Sequence, residues 1–136
     1  MHIALVEDCV SDAEALSAFL TQYKELHSPE LRFARYDSGE AFLASSFEKY
    51  HLVFMDIYMG QMDGIETARR ILEKNADCLI VFLTASREDI WRAVKLHVCF
   101  DYIEKASLNY KKVEEVLNAA WKKLRLQARV LEFYSG

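Results

Sequence analysis

The chain lacks any apolar run approaching the roughly 20 residues needed to span a bilayer. Met1-His2-Ile3 leads into a strand-like stretch with no charged leader and no cleavage site. A cytoplasmic chain with no membrane partner is the expectation. An excess of positive charge is also missing: 17 Lys and Arg stand against 21 Asp and Glu, a net charge of -4. A domain whose main task is holding nucleic acid usually has a strongly basic footprint, so DNA contact is expected only through a separate part of the molecule. Cysteine is scarce, and Cys9, Cys78 and Cys99 form an odd set with no CxxC and no His at zinc spacing. They read as reduced packing residues. Proline is almost absent, Pro29 being the only one. What remains, 52% hydrophobic and 28% charged residues over 136 positions, suits one compact domain with a sizeable core and excludes a disordered or fibrous chain.

Apolar runs stand at Ile3 to Val6, Leu52 to Met55, Leu79 to Leu83 and around Tyr102-Ile103, with a more alternating run from Leu31 to Tyr36. The contrast predicts central strands and one edge strand. Between them lie helical stripes: Leu16, Phe19, Leu20 and Tyr23; Ile65, Ala68 and Leu72; Ile90, Ala93, Val94 and His97. A last one runs through Val113, Val116, Leu117, Ala120 and Leu124, with Lys111, Lys112, Lys122 and Lys123 on its solvated side. A shorter helix follows Asp37-Ser38-Gly39 through Ala41, Phe42 and Leu43. Strands alternating with helices predict an α/β, doubly wound, five-stranded parallel sheet with helices on both faces.

In such sheets ligands gather outside the carboxyl ends of the strands, where strand order reverses. With the order 2-1-3-4-5, that point lies between the first and third strands, which end in Glu7-Asp8 and Asp56. Three carboxylates meeting in one crevice repel one another and imply a bound cation. Thr84 and Lys105, at the ends of the fourth and fifth strands, add a hydroxyl and an ammonium. Singly, each residue has a bland reading: a helix cap or first-turn acid, a turn hydroxyl, a solvated Lys. Together they match a hard divalent ion such as Mg²⁺ beside a phosphoryl group, with Asp8 and Asp56 as direct ligands and Glu7 binding through water or orienting them. Asp56 is the candidate nucleophile, forming an acyl phosphate, and Lys105 and Thr84 would take the phosphoryl oxygens.

These residues resemble the receiver domains of two-component response regulators, the CheY-like family. The resemblance covers about residues 1–126 and rests on Leu5-Val6-Glu7-Asp8, Met55-Asp56-Ile57-Tyr58-Met59 with Met62-Asp63-Gly64, Leu83-Thr84-Ala85, and Asp101-Tyr102-Ile103-Glu104-Lys105. It implies that Asp56 is the phosphoacceptor, Glu7 and Asp8 the acidic pair, and the Tyr58 backbone carbonyl a further Mg²⁺ ligand. Thr84 would be the switch hydroxyl, Lys105 the phosphate-binding Lys and Tyr102 the aromatic whose rotamer reports the switch. The chain would then be no enzyme beyond its own phosphorylation and dephosphorylation. Its implied partners are a sensor histidine kinase and a second copy, joined through the face made by the fourth helix, fifth strand and fifth helix. Trp91, about a residue off its helix's apolar stripe, would lie on that face as an interface anchor or as cover for the edge of the core.

In the family a Pro often stands three or four residues after the phosphoacceptor and another after the Lys; here Gly60 and Ala106 occupy those places. A cis bond before Ala106 would cost about 2.5 to 4 kcal/mol without proline, so a trans or remodelled loop is expected. Asp56-Ile57-Tyr58-Met59 followed by Gly64-Ile65-Glu66-Thr67-Ala68-Arg69 is similar to receivers that precede LytTR-type DNA-binding domains. Residues 127–136 read either as the extension of the last helix, through Leu124, Ala128 and Leu131, or as a linker or the strand-like start of an output domain. Three other functions compete. A haloacid dehalogenase-type phosphatase would need an acid where Tyr58 stands. A flavin-binding domain would need a Gly-rich phosphate loop where Glu7-Asp8 would repel a phosphate. A phosphorylation-independent interaction module is opposed by the intact set of Glu7, Asp8, Asp56, Thr84 and Lys105.

Overall fold

The computed structural model describes residues 1–59, 62–85 and 87–135, with residues 126–135 as backbone only. Five strands, β1 (His2–Val6), β2 (Arg32–Tyr36), β3 (Leu52–Asp56), β4 (Leu79–Thr84) and β5 (Asp101–Glu104), form one sheet in the order β2-β1-β3-β4-β5. Every neighbouring pair is parallel. The connecting helices are α1 (Val10–His27), α2 (Gly39–Leu43), α3 (Gly64–Lys74), α4 (Glu88–Lys95) and α5 (Tyr110–Ser135).

The central strands read as continuous apolar runs because both faces of the sheet are covered. Ala4, Val6, Val53, Met55, Ile80 and Phe82 point to one side and pack with Phe42, Ile65, Ala68, Ile71, Ile90 and Ala93 of α2, α3 and α4. Ile3, Leu5, Leu52, Phe54, Val81 and Leu83 point to the other and pack with Leu16, Leu20, Val113, Leu117 and Ala120 of α1 and α5. Each large aliphatic or aromatic side chain so buried contributes about 1.5 to 3 kcal/mol, so the sheet is held by both cores and its strand ends are set rigidly. Strand β2 has only one neighbour, and Arg32, Ala34 and Arg35 on it are exposed. Cys78 is buried, and burial pushes its thiol up to about 12. Cys9 is exposed, which corrects its reading as a packing residue.

Helix α4 is shorter than its apolar spacing predicts. Its inward residues are Asp89, Ile90 and Ala93, while Val94 is about half exposed and His97 lies beyond the helix at φ 55°. The helix is closed by two returning bonds, His97 N–H to the Val94 carbonyl at 3.1 Å and Val98 N–H to the Ala93 carbonyl at 3.2 Å. That pair, with a left-handed residue between them, is a Schellman ending, and the position is normally glycine's. Buried Val98 packs in the same cluster as Ala93 and completes the motif. At the other end of the chain, the backbone from Arg129 to Ser135 is helical, not strand-like, and continues α5.

Holding a non-glycine residue in the left-handed region costs on the order of 1 kcal/mol. His97→Gly is therefore expected to raise stability by up to about 1 kcal/mol, net of the glycine's larger chain entropy in the unfolded state. Urea midpoints of the two proteins measure it, and a destabilised variant would contradict this account of the helix end.

Candidate functional site

The parallel ladder brings the acids together. Val6 pairs with Met55, so the next residue of each chain segment, Glu7 and Asp56, emerges side by side at the carboxyl edge. Asp56 is level with Leu83, and Thr84 with Glu104, so Thr84 ends β4 one step further on and Lys105 follows the end of β5. Carboxylate oxygens of Glu7, Asp8 and Asp56 lie within 4.8 Å of one another. Glu7, Asp56 and Thr84 are buried and Asp8 is exposed, which leaves the cluster open to solvent on one side.

Lys105 counters this charge. Its ammonium donates to Asp12 Oδ2 at 2.8 Å and to Asp56 Oδ2 at 3.0 Å. It also lies 2.8 Å from Glu7 Oε1, at an angle that leaves this buried oxygen without a well-aligned hydrogen bond. Burial alone would push the ammonium's pKa down, but its close contacts with the carboxylates of Asp12, Glu7 and Asp56 outweigh it and hold the pKa above its ordinary value. The bond from Lys105 holds the Asp12 carboxyl below its usual range. Burial pushes the Glu7 carboxyl up to about 7; the neighbouring Asp56 adds to the rise and Lys105 opposes it.

The backbone is fixed as closely as the side chains. The Arg35 guanidinium on β2 donates to the Glu7 carbonyl at 3.1 and 3.0 Å and to the Asp8 carbonyl at 3.3 Å. The Cys9 amide donates to Glu7 Oε2 at 3.3 Å and the Tyr58 amide to Asp56 Oδ1 at 3.2 Å. After Asp56 the chain turns back so tightly that Gly64 N–H donates to the Ile57 carbonyl at 2.7 Å. A methyl group at Gly64 would overlap the Asp56 carbonyl oxygen, so only glycine fits there. Asp63 then caps α3, accepting from the Glu66 amide at 2.8 Å.

Of the residues singled out in the sequence, Glu7, Asp8, Asp56 and Lys105 meet directly, and Thr84 lies buried at the same edge. Tyr102 is exposed on β5, and the Tyr58 side chain points outward. No peptide bond among the described residues is cis, so Lys105–Ala106 is trans and opens a single 3-10 turn, Lys105–Ser107. Gly60 lies outside the described residues. Two participants escaped the sequence reading. Asp12 reads as an ordinary first-turn acid and Arg35 as an ordinary edge-strand charge, and nothing in their local sequence marks either.

The donor set is entirely oxygen, and it includes a buried carboxylate oxygen with no well-aligned partner among the described residues. A hard divalent cation such as Mg²⁺ fits it. Without metal, the raised Glu7 pKa makes the folded protein bind more protons than the unfolded chain between about 4.5 and about 7. Stability should therefore fall as pH rises through that window. With a chelator present, Glu7→Gln is expected to gain stability over wild type across it and to hold a constant advantage above it. Urea midpoints at several pH values measure this, and a pH-independent difference would contradict it.

The profile of the response regulator receiver domain matches residues 3–118. The chain is 37% identical over 99 residues to the transcriptional regulatory protein RprY of Bacteroides fragilis, covering 69% of this chain and 40% of that one. It is 46% identical over 54 residues to an uncharacterized response regulatory protein of Vibrio cholerae, covering 40% of this chain and 20% of that one. The matched segments thus span less than half the length of these relatives. Among solved structures, it is similar to response regulator protein TrrA of Thermotoga maritima in complex with Mg²⁺-BeF, with a TM-score of 0.66 and 25% identity, over 88% of this chain and 97% of that one. The matched profile covers all of one core, all of the other but the Ala120 end of α5, and every strand end that carries an acid or the Lys. The chain belongs to the response regulator receiver domain family, the signalling switches of two-component systems.

Proposed function

We propose that Asp56 accepts a phosphoryl group from the phosphohistidine of a sensor histidine kinase, and that the resulting charge sets the state of an output surface. The observation that carries this reading is the contact of Lys105 Nζ with Asp56 Oδ2 at 3.0 Å inside a cluster of three strand-end carboxylates. A carboxylate oxygen of Asp56 attacks phosphorus, the P–N bond to the donor imidazole breaks, and the imidazole leaves as a base that takes a proton from solvent. Glu7, Asp8, Asp56 and the Tyr58 backbone carbonyl would hold Mg²⁺, which supplies charge neutralisation between the incoming phosphoryl group and the acids. Lys105 transfers its bond from the Asp56 carboxylate to a phosphoryl oxygen, and Thr84 donates its hydroxyl to another. TrrA of Thermotoga maritima, a relative of the same fold, was solved with Mg²⁺-BeF, which supports this chemistry.

The phosphoryl group adds about 1.5 to 2 negative charges and biases two loop arrangements that pre-exist in the protein. As Thr84 moves toward it, the space it leaves admits Tyr102, now exposed on β5. The face of α4, β5 and α5 then changes and joins a second copy. Trp91, 69% exposed, together with half-exposed Val94, Leu96 and Tyr102, gives that face its apolar content. Residues 1–126 form the receiver, and residues 127–136 lead into a C-terminal output domain. Transcription regulation through a LytTR-type DNA-binding domain is the output, in keeping with the transcriptional regulators among the relatives. A phosphorylation-independent interaction module is the remaining alternative; Gly60 and Ala106 are its only support.

Incubation with Mg²⁺ and acetyl phosphate, read by intact mass, should give a single Mg²⁺-dependent phosphoryl adduct on the wild type and none on Asp56→Asn. No adduct on a folded wild type would leave the interaction module. Thr84→Ala should still be phosphorylated but lose phosphate-dependent dimerisation in gel filtration with light scattering; unchanged dimerisation would overturn the switch.

A further inference from the structure

We infer that Asp12 is a positioning residue for the phosphoryl-transfer site: from the first turn of α1, it holds the Lys105 ammonium in place over the reacting end of Asp56. The inference rests on the phosphoryl-acceptor reading above.

Lys105 needs such an anchor because its own backbone provides little. It follows β5, the shortest strand and an edge of the sheet, in which only Ile103 is buried. It opens a single 3-10 turn with no buried residue. A lysine on such a support carries its charge on a flexible four-carbon stem and can place its head in many positions.

The ammonium has three N–H donors. Three carboxylates surround it, and they are not equivalent. Asp56 is the reacting group, and its Oδ2 contact must pass to a phosphoryl oxygen once the acyl phosphate forms. Glu7 belongs to the oxygen cluster that fits a cation, and its Oε1 already makes only a poorly aligned contact. Asp12 alone belongs neither to the reacting bond nor to that cluster. Its 2.8 Å bond is thus the one carboxylate contact of Lys105 among the described residues that neither the acyl phosphate nor a bound cation would displace. With one donor held by Asp12, the other two are directed at the space shared by Asp56 and Glu7.

The charge of Asp12 matters as well as its shape, since a charge-assisted hydrogen bond is about twice as strong as a neutral one. The position is well supported. Asp12 lies in the first turn of an 18-residue helix, where a carboxylate is favoured by the helix dipole. Ala13 beside it is buried in the core. Asp12 itself is partly exposed, so replacing it leaves no buried group without its partner apart from one Lys105 donor, which solvent can reach.

The test uses the full chain as wild type, Asp12→Asn and Asp12→Glu. Mg²⁺ affinity is measured alone by calorimetry, and the affinity of the phosphoryl mimic beryllofluoride is measured at saturating Mg²⁺. For Asp12→Asn, Mg²⁺ affinity should change less than about threefold, while beryllofluoride affinity falls about tenfold, as expected for replacing a charge-assisted bond by a neutral one. Asp12→Glu, which restores the carboxylate, should recover most of the loss. Beryllofluoride binding by Asp12→Asn as tight as wild type, or tighter, overturns the inference. So does a parallel loss of Mg²⁺ and beryllofluoride affinity, which would mark a general charge effect, or a failure of Asp12→Glu to recover. A wild type that binds Mg²⁺ but no beryllofluoride would overturn the phosphoryl-acceptor reading itself.

Discussion

Repulsion among carboxylates at the ends of two adjacent parallel strands is the constraint on which the rest of this molecule is built. The ladder between β1 and β3 leaves Glu7 and Asp56 no freedom to separate, because one residue earlier Val6 and Met55 are paired and locked in the core. A contact of about 3 Å between opposite charges is worth several kcal/mol at an effective dielectric near 20, before the cost of desolvating the two ions. One ammonium placed among three carboxylates is thus enough to make the arrangement tolerable, but not comfortable. At Glu7, burial pushes the carboxyl up to about 7, and the neighbouring Asp56 adds to the rise even with Lys105 beside it. A site that is still short of positive charge after its own lysine has been counted is one that favours a further cation.

The elements around the site answer to the same constraint. β5 has to lie next to β4 to deliver Lys105, and α1 has to begin directly after Glu7-Asp8 to deliver Asp12. Arg35 takes up the carbonyls of the acidic segment from the edge strand, so that the Glu7 and Asp8 backbone cannot rotate to relieve the repulsion. Gly64 allows the chain after Asp56 to fold back against the Asp56 carbonyl, holding that carboxylate from the other side. Each contact restrains a group that would otherwise move away.

Much of this was legible in the sequence, for a reason that also marks its limits. Apolar runs such as Leu52-Val53-Phe54-Met55 are uninterrupted because alternate residues enter two different cores, and that pattern alone separates central strands from the alternating edge strand β2. Glu7, Asp8, Asp56, Thr84 and Lys105 were legible because each lies within two residues of the end of such a run, and strand ends in a parallel sheet share one edge. Asp12 and Arg35 were not. An acid in a helix's first turn is favoured by the helix dipole, and an arginine on an edge strand discourages edge-to-edge pairing, so both look fully explained by their local setting. Only the register between β1 and β2 and the placement of β5 show what else they touch. The end of α4 failed for the opposite reason: apolar spacing continued to His97, but the Schellman closure that stops the helix has histidine where glycine would have announced it.

Helix α4 is shallowly seated in the fold, and side-chain contacts tie it to the segment after Asp56. Only Asp89, Ile90 and Ala93 of its eight residues are buried, and Asp89 Oδ2 is a buried oxygen with no hydrogen-bond partner among the described residues. A hydrogen bond to Asp89 raises the Tyr58 phenol pKa, and Arg92 reaches Asp63, the cap of α3, at 3.1 Å and Asp89 at 3.7 Å. These partly exposed pairs are individually weak, yet they bracket the turn that carries Asp56 on both sides. Reversing a population from 1:99 to 99:1 takes about 5.5 kcal/mol of differential interaction. Hydrogen bonds to charged groups contribute about 1.5 to 3 kcal/mol each. On the proposed reading, a new bond from Thr84 and the stronger attraction of Lys105 for the added charge supply part of that difference, and they act most effectively where the element they move is loosely held. A deeply buried helix such as α5, with Val113, Val116, Leu117 and Ala120 in the core, would resist a bias of that size. On the same reading, the low burial of α4, with one buried Asp89 oxygen lacking a partner among the described residues, would let so small a chemical change reach the exposed face around Trp91.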